Sequence, residues 1–150
     1  MSASVAPLPH GYVLAGAPGA ADYLELRVRA GLSPKTDDQA AAALSGSWAA
    51  CHIVHEAGAR SVAMGRVIGD GGWYFHIVDM AVLPEYQRRG LGGVVLSYLL
   101  DQIRQRAPAG AYVSLLADGP GRPLYACTDL SKALPARSGW CWRSTLSSRG

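Results

Sequence analysis

The residues whose types and spacing could do chemistry lie between His76 and Gly93. Gln87-Arg88-Arg89-Gly90-Leu91-Gly92, with Gly93 next, sets two arginines among glycines. An apolar run ending in Val82-Leu83-Pro84 precedes this loop, and a segment of helical spacing follows it. N–H groups at a helix start have no intrahelical acceptor and carry the positive end of the helix dipole. Glycines let a phosphate approach the backbone without a side chain in the way. Arginines keep their charge at any relevant pH. Strand, loop and helix in this order form a device for holding a phosphate. It is not the dinucleotide fingerprint, which needs three glycines after a parallel strand. It is not a Walker loop, since no Gly-Lys-Ser/Thr follows.

Two titratable side chains lie on the run before the loop. An imidazole such as His76 can accept an ammonium proton near neutral pH, directly or through water. Asp79, three residues on, points to the opposite face if the strand is regular. Cys51, His52 and His55 have the composition of metal ligands. On one strand, however, Cys51 and His55 share a face and His52 takes the other. No second Cys or His pair follows at zinc spacing, so no metal is expected. Cys127 would be a nucleophile only with a base beside it, and a packed thiol is the simpler reading.

The elements that must position these residues follow from the pattern. Residues 12–15 form a short strand. Residues 18–32 read as a helix, with Pro18 near its start and Gly31 at its stop. Thr36 or Asp37 caps an alanine-rich helix through Leu44, with little bulk to bury and a peripheral place. Residues 48–56, 61–68 and 73–82 are strands joined by turns at 57–60 and 69–72, an antiparallel meander. Leu91, Val94, Val95, Tyr98, Leu99 and Ile103 make one buried helical face. Pro108 ends that helix. The next strand, 111–117, is reached by a helical crossover and so lies parallel to the 73–82 strand. Residues 123–127 begin a short helix, and Trp140-Cys141-Trp142 has strand character.

Composition bounds the class. A chain of 150 residues with 49% hydrophobic and 17% charged content is read as one folded domain, residues 1–150. Its net charge of +3 is too small to argue for nucleic acid. The local basic spot at Arg88 and Arg89 suits a small anionic ligand better than a long polyanion. Three cysteines without framework spacing suggest reduced thiols in a cytoplasm. No secretory signal and no membrane span is expected.

Gln87-x-x-Gly90-x-Gly92 after a strand ending in Val82-x-Pro84 resembles the acetyl-CoA signature of the GCN5-related N-acetyltransferase (GNAT) superfamily. The match covers residues 73–117 and extends over 48–122. The resemblance implies an α/β fold with a central mixed, mostly antiparallel sheet flanked by helices. It implies acetyl-CoA as co-substrate, its pyrophosphate on the backbone of Gln87 to Gly93, with Arg88 and Arg89 adding charge. The backbone of Met80, Ala81 and Val82 would pair with the pantetheine arm. The cofactor strand and the next parallel strand would splay apart around the thioester. A β-bulge, usual in this family here, would turn Asp79 to the face of His76. Tyr125 stands where the family commonly has the tyrosine that protonates the CoA sulfur. The implied activity is N-acetylation of a small amine by direct transfer in a ternary complex, with Tyr125 as acid and His76 or Asp79 as base. Asp79 is also a candidate ligand for the substrate ammonium. A monomer or homodimer is expected. The family usually continues Tyr-x-x-x-Gly-Phe, where this chain has Asp129 and Leu130, which makes residues 129–150 a diverged C-terminal segment. That departure leaves open an alternative, a non-catalytic acyl-CoA-binding module.

Overall fold

The computed structural model describes residues 7–117 and the strand at 139–144. Among the described residues, six strands form one sheet in the order β1-β2-β3-β4-β5-β6. They are β1 (Tyr12–Ala15), β2 (Ala49–His55), β3 (Arg60–Gly69), β4 (Tyr74–Val82), β5 (Tyr112–Ala117) and β6 (Gly139–Ser144). Within the first four, neighbouring strands are antiparallel. β5 joins β4 in parallel, and β6 joins β5 in parallel. The mixed, mostly antiparallel sheet expected from the sequence is therefore present. Residues 123–127, expected as a short helix, lie outside the described residues, as do Tyr125 and Cys127.

Among the described residues, three α-helices cover the sheet: α1 (Ala20–Arg29), α2 (Asp37–Ser45) and α3 (Leu91–Arg106). Two adjacent residues of β3 show that they lie on opposite faces. A Cβ at Gly65 would point at Val95 and Leu99 of α3. Its neighbour Arg66 instead reaches the carbonyl of Ala43 in α2. Side chains alternate along a strand, so α3 takes one face and the α1–α2 pair the other.

Each helix forms for a local reason. Thr36 closes a capping box with Gln39, satisfying orphan N–H groups at the start of α2. α2 is less peripheral than its composition suggests, because Ala40 is fully buried. α3 buries Leu91, Val94, Val95, Leu96, Leu99, Leu100 and Ile103. Tyr98, expected on that face, is only partly buried, and Leu96 and Leu100 widen the face instead. Each such burial contributes roughly 1.5–3 kcal/mol. Opposite them β4 and β5 present Phe75, Ile77, Val113 and Leu115, all essentially sealed from solvent. The strand that carries His76 and Asp79 is thus anchored in the buried core. Among the described residues, no helix is long and apolar enough to cross a membrane.

Candidate active site

The site is built where β4 loses its neighbours. The β4–β5 ladder runs from Tyr74↔Tyr112 to Ile77↔Leu115 and stops there. β4 continues for five more residues, from Val78 to Val82, paired only to β3 among the described residues. The Leu83 N–H bonds to the carbonyl of Val62 in β3. By strand alternation the N–H and C=O of Met80 and Val82 therefore face the other way, into the opening. The Gln87 side chain reaches that edge and donates from Nε2 to the Val82 carbonyl at 3.2 Å.

A β-bulge marks the point where the strands part. β3 steps two residues from Met64 to Arg66, while β4 steps three, from Ala81 to Val78. The extra residue is accommodated at Asp79, whose φ is +55°. An aspartate tolerates this left-handed conformation better than most residues. The bulge resets the side-chain parity, so Asp79 faces α1 on the side that carries Arg66. The register also places His76 opposite Ile68, an even position of β3 on that same side.

Asp79 is held by three partners there. Tyr23 donates its hydroxyl to Oδ2, Arg27 Nη1 lies 2.5 Å from Oδ1, and Arg66 Nε lies 2.6 Å from Oδ2. Burial alone would raise the Asp79 pKa. The Tyr23 hydrogen bond and the two guanidiniums outweigh it and hold the carboxyl below its ordinary value. Burial and the neighbouring carboxylate push the Tyr23 hydroxyl up. A carboxylate so fully engaged is a poor proton acceptor at neutral pH.

His76 has a different environment. Its Nδ1 lies 2.6 Å from Ser114 Oγ, across the last part of the β4–β5 ladder. Ser114 in turn donates to the Tyr74 hydroxyl at 3.1 Å. In the tautomer compatible with that donation, Ser114 accepts from Nδ1–H. This leaves the lone pair on Nε2, which has no partner among the described residues.

The basic loop is fastened from both sides. Arg89 donates to the Tyr12 hydroxyl at 3.0 Å and to the Glu85 carbonyl at 3.2 Å, while Arg88 is exposed. Glu85 is paired to Arg29 and Arg60, which offsets its charge beside the basic loop. Gly90 caps α3 with φ +79° and no side-chain acceptor, so the N–H groups of the first turn stay unclaimed by a cap.

The sequence candidates for metal ligation are drawn into other duties. Cys51 is fully buried, and burial pushes its thiol up to about 12. His52 contacts the Gly16 carbonyl at 2.5 Å, and His55 contacts the Tyr86 hydroxyl at 3.1 Å. Among the described residues no group of three or more metal-ligating side chains comes together.

The model of the acetyltransferase (GNAT) family matches residues 21–127, more than half of the chain. The chain belongs to this family. Among solved structures, it is similar to a protein of unknown function from meticillin-resistant Staphylococcus aureus, described as a probable acetyltransferase. The two share 37% identity over 77% of this chain and 86% of the other, with a TM-score of 0.71. The ribosomal-protein-S18-alanine N-acetyltransferase from Escherichia coli shares the fold, at 18% identity and TM-score 0.62, over 77% of this chain and 74% of the other. So does the glucosamine-6-phosphate N-acetyltransferase from Arabidopsis thaliana, at 19% and 0.62, over 77% and 88%. No curated protein matches the chain.

In this GNAT chain, several residues beside the site were not singled out by type or spacing. Arg27 and Arg66 are the main ones, with Ser114 and Tyr74 behind His76. A signal existed for the arginines. Arg27 lies four residues after Tyr23 on the inward side of α1, and Arg66 interrupts the apolar strand β3. A charge at a buried periodic position needs a partner, and Asp79 provides it.

Proposed function

We propose that this GNAT acetyltransferase moves the acetyl group of acetyl-CoA directly to the nitrogen of a small amine, within a ternary complex. One observation carries the reading. The free edge of β4 beyond Ile77, the bulge at Asp79 and the uncapped start of α3 lie along one short stretch of chain. They suit the arm and the pyrophosphate of one CoA molecule. Met80, Ala81 and Val82 would accompany the pantetheine. Gln87, Arg88, Arg89, Gly90, Leu91, Gly92 and Gly93 would surround the phosphates. Arg88 is the freer of the two arginines to meet a phosphate, since Arg89 is engaged by Tyr12 and Glu85.

For the chemistry, His76 Nε2 takes a proton from the substrate ammonium. The amine nitrogen then attacks the thioester carbon, and charge develops on the carbonyl oxygen. Backbone N–H groups on the free edge of β4 are the donors at hand for that oxyanion. The C–S bond breaks, the thiolate takes the proton of the Tyr125 hydroxyl, and the second proton of the attacking nitrogen returns to the Tyr125 oxygen, leaving the neutral amide and CoA thiol. Asp79 serves as an anchor for Arg27 and Arg66 rather than as the base.

The test is release of free CoA thiol with a panel of amines. His76→Gln is expected to lower kcat by about a hundredfold, as removal of a general base does, with acetyl-CoA affinity unchanged. Stabilisation by acetyl-CoA with no turnover of any amine would instead favour the acyl-CoA-binding module that Asp129 and Leu130 left open. No stabilisation at saturating acetyl-CoA would overturn both.

A further inference from the structure

A cavity of about 330 Å³ opens beneath the α1–α2 connection and reaches the bulge of β4. Its lining includes Arg27, Lys35 and Arg66 against a single acid, Asp79. The balance there is three positive charges to one negative. Both carboxylate oxygens of Asp79 are already taken by Tyr23, Arg27 and Arg66. Arg27 spends its remaining donors on the carbonyl and hydroxyl of Ser33. Arg66 gives Nη1 to the Ala43 carbonyl and the Ser47 hydroxyl. Its Nη2 has no partner among the described residues, and neither has the Lys35 ammonium. Asp37 and Asp38, in the first turn of α2, are exposed and outside the lining.

Two guanidiniums whose side chains are only 7% and 14% exposed thus share one carboxylate. A buried excess of positive charge is costly unless something negative answers it. We propose that the acceptor is a small amine that also carries a carboxylate or phosphate group, bound in this cavity with its anion toward Lys35 and Arg66 Nη2. The proposal rests on the N-acetyltransfer reading and adds the substrate class to it. Asp79 places the inner end of the cavity at the bulge, so the amine lies toward β4 and the anionic end toward the α1–α2 connection. A polyamine or an aryl amine without an anion leaves the excess charge unanswered and is disfavoured.

Matched acceptor pairs test this. Amino acids are compared with their amides, and phosphorylethanolamine with ethanolamine, by CoA release. Binding is read separately by calorimetric titration of the same compounds into the CoA-bound protein. The charged member of at least one pair is expected to bind and react at least tenfold better. Preference for amino acids identifies a carboxylate, and preference for phosphorylethanolamine a phosphate. Lys35→Gln, at an exposed position that folding does not depend on, is expected to reduce the charged-over-neutral ratio at least threefold. Equal binding of charged and neutral members, or a ratio indifferent to Lys35→Gln, overturns the proposal even if amines are acetylated. Selective binding of the charged members without turnover would keep the anion site and reject the N-acetyltransfer reading.

Discussion

Asp79 shows how one carboxylate can hold several elements together. Its carboxylate compensates two arginines that α1 and β3 bring to the same face. Because its folded pKa is lowered, it contributes its full stability above the unfolded value of about 3.9. That contribution is lost as pH falls through the lower folded value. Asp79→Asn should cost roughly 3 kcal/mol at pH 7, since it leaves two buried guanidiniums without a negative partner. Urea unfolding should show the gap to the parent narrowing between pH 4 and pH 2. A gap that stays constant over that range would contradict the ionic role. His76 sits a short way along the same strand but has a different partner. Its Nδ1 is fixed by Ser114, so its orientation is set by β5 and not by the charge cluster.

At the scale of the element, β4, the loop and α3 act as one piece because α3 is packed tightly against β3. Gly65 is where that packing is closest. A Cβ there would lie 2.6 Å from Met80 Sδ, 2.7 Å from Val95 Cγ1 and 2.9 Å from Leu99 Cδ1. Gly65→Ala should therefore destabilise by about 1–3 kcal/mol through overpacking, read as a lower denaturation midpoint with an unchanged slope. Gly90 presents the opposite case. Nothing lies within 4 Å of a Cβ placed there, but its φ is +79°. Gly90→Ala should cost about 1–2 kcal/mol in backbone strain alone. It should also weaken acetyl-CoA severalfold by calorimetry, since the strain relaxes by moving the first N–H groups of α3. Full retention of affinity would separate this glycine from the cofactor.

For the molecule as a whole, the opening between β4 and β5 depends on what holds β5 once it leaves β4. β5 has four registered pairs with β4 and six with β6. Among the described residues, Leu116 and Ala117 are paired only on the β6 side, to Arg143 and Ser144. Removing residues 139–150 should therefore abolish amide-exchange protection at Leu116 and Ala117 while leaving α3 protected. Unchanged protection there would mean that β6 does not hold the outer wall of the opening.

The sequence by itself determined the elements and the glycine-containing basic loop, because both are local. Strand alternation, the apolar spacing of α3, the Thr36 cap and the Gln87-to-Gly93 pattern each lie within one stretch of chain. So does the parallel pairing of β5, which follows from its helical crossover. Tertiary structure alone decided which side chains share the site. The bulge that turns Asp79 arises from pairing with β3, and residues 52 and 13 positions away in the chain, Arg27 and Arg66, converge on it only after folding. The contact between Ser114 and His76 spans 38 residues in the same way. A charge balance built from long-range contacts leaves little mark on composition. That is why a chain of modest net charge gave no hint of its concentrated positive cavity.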